Sequence, residues 1–227
     1  MEGLSEWLAN QNGIYERFRQ SLDAVRTEGI LPDPSVFKTC GGLLVTIEHS
    51  GPIVDRVTSL SESLGQFVPA IMYQNNCIHT TLIGYDLRPE REYSAGEDDT
   101  TIELLANAIK EELVALCDSP AIRFSGEILC NKTTIILPGV PNEAFLNLAS
   151  AAIERSGLAN TRGPVMAHIT VLRFKEQLSA DQLSPKFFQL VENGIPEFES
   201  IPVGISVGYF HLDSSGVSYS IHRRLLI

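Results

Sequence analysis

The chain has 227 residues, with 17 Lys and Arg against 28 Asp and Glu and a formal net charge of −11. A field of that sign repels polyanions, so broad binding to duplex DNA or long RNA, which depends on neutralising many phosphates, is disfavoured. Apolar residues at 44% and charged residues at 20% are ordinary for a compact chain, and the length suits one large domain or two small lobes.

In chain order, residues 4–28 carry apolar side chains (Leu4, Trp7, Leu8, Ile14, Tyr15, Phe18, Leu22, Val25) at helical spacing, with a break expected at Asn12-Gly13. GILPDPS (29–35) reads as a connector. LLVTIEH (43–49) is a strand, 52–64 a helix, and CIHTTLIGYD (77–86) a second strand after an irregular stretch around Pro69. The polar run 87–99 reads as a loop. Ile102, Leu105, Ile109, Leu113 and Leu116 then define a helix over 100–116. Runs 121–129 and 133–139 form a hairpin around Asn131-Lys132, and 142–155 is a helix that starts at Asn142. VMAHITVLRF (165–174) is a strand, 185–191 a short helix, and 203–213 with 217–226 a closing hairpin.

Mixed strands and helices with recurring hairpins indicate an α+β chain with mostly antiparallel pairing. The opening MEGLSEWLAN lacks the basic-then-apolar pattern of a secretory signal, and no apolar run approaches the roughly 20 residues of a membrane span. Cys40, Cys77, Cys117 and Cys130 make no C-x-x-C pair and no zinc spacing. These features lead to the expectation of a cytoplasmic protein in a reducing compartment, without a membrane partner.

Two stretches carry the chemistry. In VMAHITVLRF, His168 and Thr170 share one strand face, because side chains alternate with period two. Alone, such a pair is most simply a rim histidine satisfied by a local hydrogen bond. However, CIHTTLI repeats it with His79 and Thr81, again in an apolar strand, at the equivalent place in the other half of the chain. Each half has a helix leading to a histidine strand, which a further helix and a hairpin follow.

The quoted residues, His79-Thr80-Thr81-Leu82 and His168-Ile169-Thr170-Val171, resemble the two-histidine (2H) phosphoesterase superfamily, whose mark is two copies of His-x-Ser/Thr-hydrophobic. Arg173 stands where the RNA 2′,3′-cyclic phosphodiesterases of that group often carry arginine. The ending SSGVSYSIHRRLLI resembles their C-terminal hairpin, with Tyr219 matching its tyrosine. The resemblance implies a bilobal fold: two mostly antiparallel sheets with flanking helices, related by a pseudo-twofold axis around a central cleft. It places a single bilobal domain over 41–227 and a helical extension over 1–40. Two departures stand out. Thr80 occupies a position that is ordinarily apolar, so the far face of that strand is expected to be less buried. The first 40 residues and the acidic 87–99 loop lie outside the usual core.

The activity so implied is metal-independent hydrolysis of a 2′,3′-cyclic phosphate or 2′-linked phosphodiester, in a nucleotide or short RNA, without a cofactor. His168 would act as base and His79 as acid, while Thr81 and Thr170 hold the phosphate oxygens. Histidine's pKa of about 6.5 lets both forms exist near neutrality. Arg173 is a substrate-binding candidate only if a bulge or the strand end re-aims it, because a regular strand turns it away from His168. Tyr219 and Tyr85 are candidates for stacking on a base, or are simply packed. A nucleotide or cyclic-oligonucleotide binding module with little turnover, and an interaction domain working through its N-terminal helices, are the alternatives. GISVG (204–208) spells a nucleophile elbow, but the run continues as strand where a turn into a helix is required.

Overall fold

The computed structural model describes residues 3–227. The elements run α1 (Leu4–Glu28), β1 (Cys40–Glu48), α2 (Gly51–Gly65), β2 (Ala70–Met72), β3 (His79–Pro89) and α3 (Glu97–Ala115). They continue with β4 (Ile122–Phe124), β5 (Leu129–Cys130), β6 (Thr134–Pro141), α4 (Glu143–Ser156), β7 (Thr161–Arg162) and β8 (His168–Phe174). The chain closes with α5 (Pro185–Asn193), β9 (Phe198–Ser200), β10 (Gly204–Leu212) and β11 (Val217–Leu226).

Two antiparallel sheets form. One has the order β11-β10-β1-β3-β7, and the other has β2-β8-β6-β4-β9 with β5 paired to β6. Each motif strand therefore lies between a long strand, β1 or β6, and a short strand. The short strand is exchanged between sheets: β2 precedes β3 but pairs with β8, and β7 precedes β8 but pairs with β3. The hairpins are exchanged as well. The strands after β3 and α3 join the sheet of β8, and the β10–β11 hairpin after β8 and α5 joins the sheet of β3. This reciprocal exchange is the pseudo-twofold relation expected from the repeated motif.

The runs of apolar residues become buried strands, with Leu43, Val45, Ile47, Leu82, Ile83, Ile169, Val171 and Leu172 at the centre of the core. Local signals stop the helices where chemistry requires. The Asn142 side chain accepts from Phe145 N at the start of α4, and Gly157 ends it at φ 65, a left-handed conformation that glycine adopts without a Cβ penalty.

α1 is a single helix of 25 residues, so the expected break at Asn12-Gly13 does not occur. A mid-helix glycine costs only about 1 kcal/mol relative to alanine. The turns on either side offset it: Tyr15 and Phe18 pack on Leu129 and Ile136, and Trp7 Nε1 donates to Pro164 O at 2.7 Å. The far face of β3 also differs from expectation, because Thr80 is fully buried and its hydroxyl is paired. Short strands β7 and β9 lack any sequence signature, since two or three residues show no period. No helix among the described residues is long and apolar enough to cross a membrane.

Candidate active site

β3 and β8 meet where Thr80 Oγ1 donates to the His168 carbonyl at 3.1 Å, and a cleft of about 600 Å³ opens beside them. His79, Thr81, His168 and Thr170 all line it, so the two repeats converge on one space.

Arg173 lines the same cleft, and the ladder shows why. Between β6 and β8 the register runs Ile136 opposite Thr170 and then Ile135 opposite Leu172, which leaves Val171 as an extra residue. This bulge restores Arg173 to the face of His168 and Thr170. β3 carries the matching irregularity, Thr46 opposite Thr81 and Val45 opposite Ile83, with Leu82 extra. The equivalent of Arg173 in that strand is Gly84. A Cβ there would come within 2.7 Å of Leu87, itself part of the cleft wall, so only one lobe offers a cation at this place.

The Arg173 guanidinium is fixed in place. Nε donates to Tyr73 Oη at 3.0 Å and Nη1 to Asp33 Oδ2 at 2.8 Å, which leaves Nη2 for a ligand. Asp33 also accepts from Ser35 N at 3.0 Å and Ser35 Oγ at 2.6 Å. Burial alone would raise its pKa, but the Arg173 charge and the Ser35 donors hold the carboxyl below its usual range.

Both imidazoles are neutral near pH 7. Burial and, to a lesser extent, the His168 charge lower the pKa of His79 to about 4, against the opposing Cys77 backbone. Nδ1 of His79 nevertheless has no partner of good hydrogen-bond geometry. Burial likewise lowers His168 to about 4. There the Met166 carbonyl, 3.4 Å from Nδ1, opposes the shift, and the Arg173 charge adds to it. In β8 the carbonyl two residues before the histidine faces Nδ1, an arrangement that leaves His168 Nε2 as the reactive nitrogen.

The N-terminal helix reaches this site. Gln11 Oε1 accepts from Ala167 N at 2.7 Å, and its Nε2 donates to Gly139 O at 3.1 Å. Tyr15 Oη donates to Ala167 O. The two side chains hold the backbone immediately before His168. Beyond the helix, Asp33, Ser35 and Lys38 supply one side of the cleft.

Tyr219 and Tyr85 are not brought to the main cleft. The Tyr219 ring lies 5.8 Å from that of His79, and its buried hydroxyl sits 2.9 Å from Leu44 O and 3.0 Å from Ser206 O. It borders a smaller cavity of about 270 Å³ on the other side of His79. Tyr85 pairs with Leu43 and Thr161 in the ladder and packs on the core. Sequence reasoning missed Asp33, Ser35, Lys38, Tyr73 and His49. For Asp33 and Ser35 the Asp-Pro-Ser run was the available signal, since an Asp that accepts from the residue two ahead is a common turn device.

No family model matches the chain, and no curated protein matches it. Among solved structures, it is similar to TT0787 of Thermus thermophilus, with a TM-score of 0.54 at 17% identity over 82% of this chain and 97% of that one. A weaker likeness is to E. coli LigT complexed with 3′-AMP, with a TM-score of 0.48 at 12% identity over 83% of this chain and 98% of that one. The likeness to TT0787 shows a shared fold, here the two antiparallel sheets with flanking helices that the repeated motif led one to expect.

Proposed function

We propose that the protein is a metal-independent phosphodiesterase that opens a 2′,3′-cyclic phosphate, or cuts a 2′-linked phosphodiester, in a nucleotide or short oligonucleotide. The observation that carries this reading is the convergence of two imidazoles, two threonine hydroxyls and one oriented guanidinium on a single cleft. The phosphodiester monoanion sits between the imidazoles, with Thr81, Thr170 and Arg173 Nη2 on its non-bridging oxygens. Neutral His168 takes a proton from water as the water oxygen bonds to phosphorus. The bond from phosphorus to the leaving ribose oxygen breaks, and His79 protonates that oxygen. The Arg173 charge favours the neutral form of His168, which suits the base. The substrate's own negative charge favours the protonated form of His79, which suits the acid. Each proton transfer contributes typically 10²–10⁴-fold. A net charge of −11 favours a small substrate over long RNA, and four free cysteines favour a reducing, cytoplasmic setting.

One observation favours the second reading, a nucleotide-binding module with little turnover: both imidazoles are neutral in the free protein, so the acid must acquire its proton with the ligand. The test is a panel of 2′,3′-cyclic mononucleotides, short RNAs ending in a cyclic phosphate, and 2′–5′-linked oligonucleotides, incubated with EDTA and resolved by chromatography. Products with the wild type support the phosphodiesterase. Intact ligands together with saturable heat of binding would replace it with the binding module.

A further inference from the structure

Behind the cleft floor a hydrogen-bond chain passes between the two sheets. His49 follows β1 and is buried, with Nδ1 2.6 Å from Ser200 Oγ on β9 and Nε2 3.2 Å from Thr80 Oγ1 on β3. Thr80 and Ser200 are fully buried. Because the Thr80 hydroxyl proton is engaged by the His168 carbonyl, its oxygen must accept from His49 Nε2–H. His49 Nδ1 then carries no proton and accepts from Ser200 O–H. Every member is satisfied in this one arrangement, and it requires a neutral His49. Burial and the nearby His79 hold its pKa at about 3, consistent with that form.

The ladder explains why the His168 carbonyl needs a donor from the other sheet. Gly139 N donates to Ala167 O, so the next pair, Pro138 and His168, is a non-bonded one in the antiparallel alternation. The His168 carbonyl therefore turns away from β6. On that side β2 reaches only Leu172, Arg173 and Phe174. The Thr80 hydroxyl fills the vacant place. Thr80 is also the neighbour of His79 in the chain, so one hydrogen bond ties the backbone beside one histidine to the backbone of the other.

We propose that Ser200, His49 and Thr80 form a positioning device that fixes the spacing and orientation of His168 relative to His79. The proposal rests on the phosphodiesterase reading for its kinetic consequence, though not for its structural one. It also gives a reason for a threonine where the family resemblance expects an apolar residue. Thr80 and His49 touch no substrate in this scheme. They act through the strand that carries His168.

The experiment compares wild type, Thr80→Val and Thr80→Ser in two ways. The first is kcat and KM on a 2′,3′-cyclic mononucleotide. The second is the pH titration of the His168 ring nitrogens by NMR, with and without inorganic phosphate. Valine keeps the shape and removes the hydroxyl, so kcat should fall about 10- to 100-fold with KM changed by no more than about twofold. The His168 titration midpoint should move, and serine should restore both. Should Thr80→Val not fold, Ser200→Ala removes only the far end of the chain and should shift both readouts in the same direction by less. A Thr80→Val protein of lower Tm but unchanged kcat and His168 titration overturns the proposal, as does a folded Thr80→Ser as impaired as the valine variant. A wild type without turnover would count against the phosphodiesterase. The titration would still decide the positioning claim.

Discussion

Lowering the pH from 7 to 5 should destabilise the protein by about 5 kcal/mol, and the cause is three histidines of lowered pKa, His49 buried and His79 and His168 half-buried in the cleft wall. His49 is held at about 3, and His79 and His168 at about 4, so the folded chain leaves all three neutral until well below pH 5. In the unfolded chain each titrates near 6.5. Between those values the unfolded state binds more protons, so stability rises with pH across the window and is lost as pH falls through 6.5. Above 6.5 both states are neutral and the histidines add no pH dependence. Each group contributes at most about 1.4 kcal/mol per pH unit, or about 2 kcal/mol between pH 7 and 5. Three together approach 5–6 kcal/mol, comparable with the whole stability of many domains. Asp33 works in a lower window, because its carboxyl is held below the usual range by Arg173 and Ser35. Urea unfolding at several pH values across that interval, read by fluorescence and circular dichroism with a common m-value, measures the slope. A change of less than about 1 kcal/mol from pH 7 to 5 would refute the assignment of three neutral imidazoles.

Replacing Thr170 or Thr81 by valine should lower kcat about 10²–10³-fold with intact fold, measured by steady-state kinetics, if their hydroxyls meet developing phosphate charge. Arg173→Lys keeps the charge but loses the fork held by Tyr73 and Asp33, and should raise KM several-fold while kcat changes less. Gln11→Leu leaves Ala167 N without its acceptor and Gly139 O with only the Tyr15 hydroxyl at 3.3 Å, so urea midpoints should register a loss of about 1–3 kcal/mol, with activity reduced under conditions where the fold persists.

Much of the fold was legible because the long apolar runs obey a single period. Strands around 43–49, 77–86 and 203–213, and helices over 100–116 and 142–155, are all present, with ends moved by a few residues. The four motif residues were legible for the same reason, since alternation put His and Thr on one face in both strands. Arg173 needed more. The adjacent apolar pairs Leu82-Ile83 and Val171-Leu172 interrupt the alternation just after each motif, and that break is the trace of the two bulges. Other features depend on long-range packing. Asn12-Gly13 reads as a break only until Trp7, Tyr15 and Phe18 find partners more than a hundred residues away. His49 could not be chosen from its neighbours, because its partners Thr80 and Ser200 come from distant strands and different sheets. Asp33, Ser35 and Lys38 sit in a connector whose place at the cleft is decided by where α1 docks.

The central claim is that His168 delivers water to phosphorus while His79 protonates the leaving oxygen. Its most direct test is turnover of a 2′,3′-cyclic nucleotide in heavy-oxygen water with EDTA, with the product phosphate read by mass spectrometry for wild type, His79→Ala, His168→Ala and the double variant. The expected result is a single solvent oxygen in the wild-type product, loss of at least about 10²-fold in rate for each single variant, and a double variant that is folded but inactive. A folded double variant that still placed solvent oxygen on phosphorus at the wild-type rate would contradict the mechanism.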